Sequence, residues 1–267
     1  MFYFGTNLKM HGTAAETLAF VQTLEQGLSR YARDSLDVQG FVLPPFTSLP
    51  GLVGHTRKLW VGAQTMHWAE EGPYTGEISP VMLAALGVRL VMLGHAERRH
   101  GFGETDEVIQ KKVRAAFRRE FRVLLCVGET DAQRQRGEGL VVVTKQLESA
   151  LQGIDREDWD RLLIAYEPVW AIGAGGREAE PGEIRKSLQA IRRTLETLQR
   201  GNGVLEHVPI LYGGSVTREN CAAYASLGID GLFVGRAAWQ AGEFLDVLER
   251  SLAVYKATAT ARKSAAL

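Results

Sequence analysis

The stretch "AYEPVWAIGAGGREAEP", residues 165–181, decides how this chain folds. It is the end of an apolar run, "LLIAYEP" (162–168), followed by a loop of small residues and then by a helix start. The run has the length and aliphatic content of a strand buried on both faces. Pro181 stands just ahead of "EIRKSLQAIRRTLETL", where its missing N–H does no harm. In that segment Ile184, Leu188, Ile191 and Leu195 share one helical face. Two features of the stretch are costly. Glu167 sits at the edge of the apolar run, and a carboxylate there must be paired or used. The loop glycines lose much entropy on ordering unless the chain has to bend or approach a ligand.

Seven more runs of the same kind lie outward from it. They are "FYFGTN" (2–7), "VQGFVLP" (38–44), "LWVGAQ" (59–64), "VRLVMLG" (88–94), "FRVLLCVG" (121–128), "VPILYGG" (208–214) and "IDGLFVG" (229–235). Helical patterns alternate with them. "AAETLAFVQTLEQGLSRYA" (14–32), for instance, places Leu18, Val21, Leu24 and Leu28 on one face. Eight strand–helix alternations in 267 residues predict an α/β chain folded as a single-domain (β/α)8 barrel, the TIM barrel. The alternative, a doubly wound open sheet, is weaker because no G-x-G-x-x-G follows the first strand. No internal boundary is visible. We expect a barrel domain over 1–255 and a flexible tail over 256–267, "KATATARKSAAL", which is small-residue and polar.

Composition narrows the function classes. Hydrophobic residues make up 45% and charged residues 23%, which is globular usage. Lys plus Arg equals Asp plus Glu at 31 each, so nothing in the balance calls for nucleic acid or a membrane surface as partner. No apolar run reaches membrane-spanning length, and "MFYFGTNLKMHG" lacks the marks of a signal peptide. Cys126 and Cys221 are too few for a disulfide framework and lack metal-ligand spacing. These features lead us to expect a cytoplasmic protein.

In such barrels the working residues sit at the carboxyl ends of the strands. After the first strand come Asn7 and Lys9. A lysine there either projects its ammonium into the barrel mouth, attracting an anionic substrate, or is a solvated loop residue. After the fourth comes "LGHAERRH". His95, at a helix start, is either a neutral ring donating a hydrogen bond or a structural histidine. Glu97, Arg98 and Arg99 form a solvated charged turn or an ion-pair network that orients Lys9. After the sixth comes Glu167, which is a general base if shielded from water or a salt-bridge partner of a nearby arginine. After the seventh and eighth come "YGGSV" and "VGRAAW". Gly213, Gly214, Ser215 and Gly235 suit a phosphate cradle of backbone amides, although strand-end glycines also serve as turns. Cys126 reads as a packing residue.

The segments "NLKM", "LGHAERR", "CVGET", "AYEPVWAIG", "YGGSV" and "DGLFVG" resemble the triosephosphate isomerase superfamily, in family order and over nearly the whole chain. The resemblance implies the barrel, a homodimer, and proton transfer through an enediol(ate) with neither metal nor cofactor. It makes Glu167 the base, His95 the carbonyl polariser, Lys9 the positive charge and Asn7 the holder of the oxygens. It makes Gly173, Ser215 and Gly235 amide donors to phosphate, and it sets Thr75 at the tip of a long third loop reaching a partner subunit. A closing lid over 171–179 is implied as well. The chain departs from the common pattern at Ala96, where a serine is usual and holds the glutamate at rest. It departs also in the lid, one residue longer, and at Arg236, where a second glycine is usual. The backbone N–H of Arg236 can still bind phosphate, while its side chain adds a charge. The M-H-W and G-R-x-A-W segments look more like the tetrulose-phosphate isomerase branch of erythritol-type catabolism. We therefore expect a phosphorylated three- or four-carbon sugar as substrate, with Ala96, the lid and Met66–Trp68 reshaping one end of the pocket. A non-catalytic sugar-phosphate-binding barrel and a Schiff-base aldolase are the alternatives. The first has no need of Glu167. The second needs a lysine within a strand, and no such lysine lies in the eight runs.

Overall fold

The computed structural model describes residues 1–30, 38–173, 175–201, 203 and 206–265, with side chains of the last helix described to Thr258. Eight parallel strands close into a barrel in sequence order. They are β1 (Phe2–Asn7), β2 (Val38–Leu43), β3 (Leu59–Ala63), β4 (Leu90–Leu93), β5 (Arg122–Val127), β6 (Leu162–Tyr166), β7 (Ile210–Tyr212) and β8 (Gly231–Val234). β1 pairs with β2 along its length, Phe2 opposite Val38 through Asn7 opposite Leu43, and closes the ring against β8.

The expected runs hold the observed strands, but all except β1 stop earlier. Gly94, Gly128, Glu167, Gly213 and Gly235 all lie past the last ladder residue. There the backbone leaves the sheet to turn over the barrel mouth. Gly94, at φ 75, makes that turn in the left-handed region.

Alternate residues sort to two sides. Phe41, Leu43, Leu90, Met92, Leu124, Cys126, Leu163, Ala165, Leu211 and Phe233 fill the interior, with Tyr3 and Trp60 packed at its edge. Their neighbours along each strand face outward, into the layer beneath the helices. The interior admits the Phe41 ring only because β1 has a glycine beside it. A Cβ on Gly5 would lie 2.3 Å from that ring.

Nine α-helices are found among the described residues: α1 (Ala14–Leu28), α2 (Pro80–Leu86), α3 (Ala96–Gly101), α4 (Asp106–Arg118), α5 (Asp131–Gln135), α6 (Gly139–Leu151), α7 (Pro181–Gly201), α8 (Cys221–Ala225) and α9 (Ala241–Ala265). On α7 all four residues of the expected face, Ile184, Leu188, Ile191 and Leu195, are buried. α1 is closed by a Thr13–Glu16 capping box and ends at Leu28; of the rest of its expected span, Ser29 and Arg30 lie in a turn, and Tyr31 and Ala32 lie outside the described residues. Between β2 and β3 the expected alternation is broken. A 3-10 turn, Phe46–Gly51, replaces an α-helix, with Pro50 inside it unable to donate to an α-helical ladder. The expected boundary at 255 falls inside α9, which is helical to Ala265. Among the described residues no helix is long and apolar enough to cross a membrane.

Strands β7 and β8 are tied at the end opposite the mouth by Asp230. Its carboxylate accepts from the Ile210 N–H at 2.9 Å, from Arg192 Nη2 at 3.0 Å and from His207 Nε2 at 2.8 Å. Burial works against the charge, but the His207 and Ile210 hydrogen bonds and the Arg192 charge hold the carboxyl below the usual carboxylate range. A lowered pKa stabilises the fold above the unfolded value of about 3.9, and that contribution is lost as pH falls through the folded value. Asp230→Asn should therefore cost about 1–3 kcal/mol near neutrality in urea unfolding. The gap from the parent should shrink as the pH is taken below about 4; a gap that stays constant to pH 3 refutes the assignment.

Candidate active site

A cavity of about 930 Å³ opens at the carboxyl ends of the strands, lined by Asn7, Lys9, His95, Glu97 and Glu167, by Gly173 and Ser215, and by Gly235 and Arg236. Every expected site residue except Thr75 thus faces one space.

Glu167 follows β6 and keeps the inward alternation of Leu163 and Ala165. Its backbone N–H donates to the Val127 carbonyl at 2.8 Å, so the residue is held as an extension of the sheet. Below it, the buried Glu129 carboxylate accepts from Tyr166 Oη and, at 2.8 Å, from Trp170 Nε1, which anchors both flanks of Glu167. Burial first, and then the Glu129 charge, push the Tyr166 phenol far up, so it stays a donor. Arg134 and Arg177 lie over the Trp170 ring, 4.6 and 4.7 Å from its centroid.

The Glu167 side chain is 4% exposed as a residue, and its Oε2 is buried without a hydrogen-bond partner. Its Oε1 lies 3.6 Å from His95 Nε2, in contact but beyond a good hydrogen bond. Gly213 makes the space: a Cβ there would sit 2.8 Å from Glu167 Cγ. The Cys126 thiol faces the carboxylate. Burial, then the Glu167 charge, push its pKa well up, so the sulfur keeps its proton. The glutamate stands between His95, Cys126 and Gly213.

His95 is the N-cap of α3, and its Nδ1 accepts from the Glu97 N–H at 3.2 Å. A nitrogen that accepts has no proton, which assigns the neutral tautomer with hydrogen on Nε2, toward Glu167. The charged segment behind it does not act as one network on Lys9. Glu97 alone takes the Lys9 ammonium, at 2.6 Å. Arg98 instead shares the buried Glu104 with Lys112, and Arg99 braces the Gly94 carbonyl and Asp106.

Lys9 has φ 52, an uncommon left-handed conformation for a lysine. Three hydrogen bonds hold the turn. Lys9 N–H donates to Asn7 Oδ1 at 2.8 Å, Gln64 Nε2 donates to the Lys9 carbonyl at 2.8 Å, and Trp239 Nε1 donates to the Asn7 carbonyl at 2.9 Å. The sequence alone singles out neither Gln64 nor Trp239. Period-two counting along β3, through Trp60 and Gly62, would have put Gln64 at the mouth. Nothing local in "GRAAW" pairs Trp239 with Asn7.

On the far side, the backbone N–H groups of Gly173, Ser215, Gly235 and Arg236 find no acceptor in the chain among the described residues. Four free donors around one cavity are the chemistry that suits an anion. Thr75 is exposed and lies apart from the cavity of this chain. Met66 and Trp68 do not line it either, contrary to expectation. Met66 is buried in the outer core, and Trp68 stacks on His67, which also contacts Tyr74. Ala96 is likewise absent from the cavity wall. Ala174, in the expected lid, lies outside the described residues.

The family model of triosephosphate isomerase matches residues 2–251. Among curated relatives, an L-erythrulose-1-phosphate isomerase of Mesorhizobium japonicum is 43% identical, over 95% of this chain and 98% of its own. One of Rhizobium etli is 42% identical, over 92% of this chain and 91% of its own. A triosephosphate isomerase of Caldanaerobacter subterraneus subsp. tengcongensis is 41% identical, over 91% of this chain and 96% of its own.

The Asn7–Lys9 turn supplies a test independent of substrate. Trp239→Phe keeps a ring beside His11, now 4.4 Å away, and removes the N–H from the Asn7 carbonyl. It should lower stability by about 1 kcal/mol in chemical denaturation. An unchanged midpoint would detach the indole from the turn.

Proposed function

The chain belongs to the triosephosphate isomerase family, and from that premise we propose that it converts L-erythrulose 1-phosphate to D-erythrulose 4-phosphate without a cofactor. The observation that carries the reading is the meeting of Glu167, His95 and Lys9 in one cavity with a cradle of free amides opposite. A protein that only binds a sugar phosphate needs the cradle and has no use for a buried, half-unpartnered carboxylate. The Schiff-base alternative has no support, since the lysine in the cavity follows β1 and is ion-paired to Glu97.

The substrate is phosphate–O–CH2–C(=O)–CH(OH)–CH2OH. The cradle amides of Gly173, Ser215, Gly235 and Arg236 hold the phosphate. Glu167 takes the proton from the carbinol carbon. The neutral His95 ring donates from Nε2 to the carbonyl oxygen, and Lys9 with Asn7 stabilises the negative charge that develops there. The carbonyl oxygen takes the His95 Nε2 proton to give the enediol; Glu167 then returns its proton to the former carbonyl carbon, while His95 recovers a proton from the neighbouring hydroxyl, leaving the new carbonyl at the former carbinol carbon. Atoms balance with no redox partner. The same steps act on dihydroxyacetone phosphate, in which hydrogen replaces the terminal hydroxymethyl. The tetrulose is favoured by the M-H-W and G-R-x-A-W segments and by the names of the two rhizobial relatives. The protein works as a homodimer in this reading, with the exposed Thr75–Tyr74 loop as the contact. Exposed Met82, Val81 and Leu86 on α2 support an interface there.

A kcat/KM comparison on purified protein tests the substrate. L-erythrulose 1-phosphate should exceed dihydroxyacetone phosphate and glyceraldehyde 3-phosphate, and the reverse order makes it a triose enzyme. Glu167→Gln should cut kcat roughly 10²–10⁴-fold with little change in KM. In deuterated water the parent should exchange the carbinol hydrogen, and a binder would exchange nothing.

A further inference from the structure

Three cationic side chains line the cavity: Lys9, Arg218 and Arg236. Two are already matched. Lys9 is paired with Glu97 at 2.6 Å, and Arg218 with Asp246 at 2.8 Å. Arg236 has no carboxylate partner among the described residues. Its one hydrogen bond runs from Nη2 to the Gly173 carbonyl at 3.2 Å, joining the turn after β8 to the loop after β6. Those two segments are the two sides of the amide cradle.

A guanidinium carries five N–H donors in a planar fork. With Nη2 on Gly173, the remaining donors have no other partner among the described residues, and Arg236 lines the same cavity as the cradle residues. The approach is open, since a Cβ on either Gly173 or Gly235 would meet nothing within 4 Å. The planar fork matches two phosphate oxygens at once, which an ammonium cannot do.

We infer that the Arg236 side chain is itself a ligand of the substrate's phosphomonoester dianion, bridging it to the Gly173 carbonyl and tying the two sides of the cradle together. This rests on the sugar-phosphate reading above and extends it from backbone amides to a side chain. The bridge has two parts, charge and fork, and two substitutions separate them. Arg236→Gly removes both. Arg236→Lys keeps the charge and loses the fork. Because Arg236 is exposed, neither threatens folding.

The probe is inorganic phosphate, titrated calorimetrically into the parent and both variants, followed by steady-state kinetics on the sugar phosphates. Arg236→Gly should bind phosphate roughly tenfold or more weakly than the parent, as expected for a lost charge-assisted hydrogen bond. Its kcat/KM should fall, with part of the loss restored by added guanidinium ion, which should not accelerate the parent. Arg236→Lys should fall between the two. Phosphate affinity and kcat/KM of Arg236→Gly within twofold of the parent would overturn the assignment, and so would an Arg236→Lys variant equal to the parent. The two readings fail separately. A parent that isomerises sugar phosphates while Arg236→Gly is unaffected loses only the ligand role. A parent that binds phosphate through Arg236 but turns over no sugar phosphate loses only the isomerase reading.

Discussion

In a closed barrel every second side chain of each strand points inward, and the interior is a packed core with no room for a mismatch. That constraint places the chemistry. Leu163 and Ala165 face the interior of β6, so the next inward position, at the mouth, is Glu167. The same counting brings Asn7 up from β1 and Gln64 up from β3. Because all eight strands run parallel, their carboxyl ends open on one side, and residues distant in sequence share one cavity. Size matching sets the fine position. The Phe41 ring occupies the space a side chain at Gly5 would need, and Glu167 occupies the space a side chain at Gly213 would need.

The mouth is built against local preference in two places. The Glu167 carboxylate is buried with one oxygen unpartnered, a costly arrangement in a folded core. Lys9 occupies a left-handed conformation, which costs of order 1–3 kcal/mol and persists only when its surroundings over-determine it. Hydrogen bonds from Gln64, Trp239 and the Asn7 side chain supply that over-determination. Departures of this kind gather where a site must meet a ligand rather than satisfy itself.

The two sides of the cavity differ in electrostatic character. On one, His95 and an ion-paired Lys9 face a buried carboxylate. On the other, unpaired amides stand beside a guanidinium that has no carboxylate within ion-pair distance among the described residues. The proposed substrate, anionic at one end and proton-labile at the other, matches both.

The amino-acid sequence by itself determined the barrel, since eight strand-length apolar runs recur along it with 3.6-period helical stretches between them, the segment after β2 excepted. It also determined the residues at the strand ends, because parity and the Glu167-Pro168 and Gly-Gly steps are local properties. It overran the strand ends, since an apolar run does not mark where the backbone leaves the ladder. It missed the 3-10 turn after β2, although Pro50 is a local signal for it. Only the tertiary structure decided the partnerships: Trp239 on the Asn7 carbonyl across 232 residues, Arg236 on Gly173 across 63, and Glu167 resting against His95 and Cys126. It also decided that Met66 and Trp68 face away from the cavity. Those facts depend on ring closure and on how side chains from different strands divide a fixed interior volume, and no single segment of the chain contains that information.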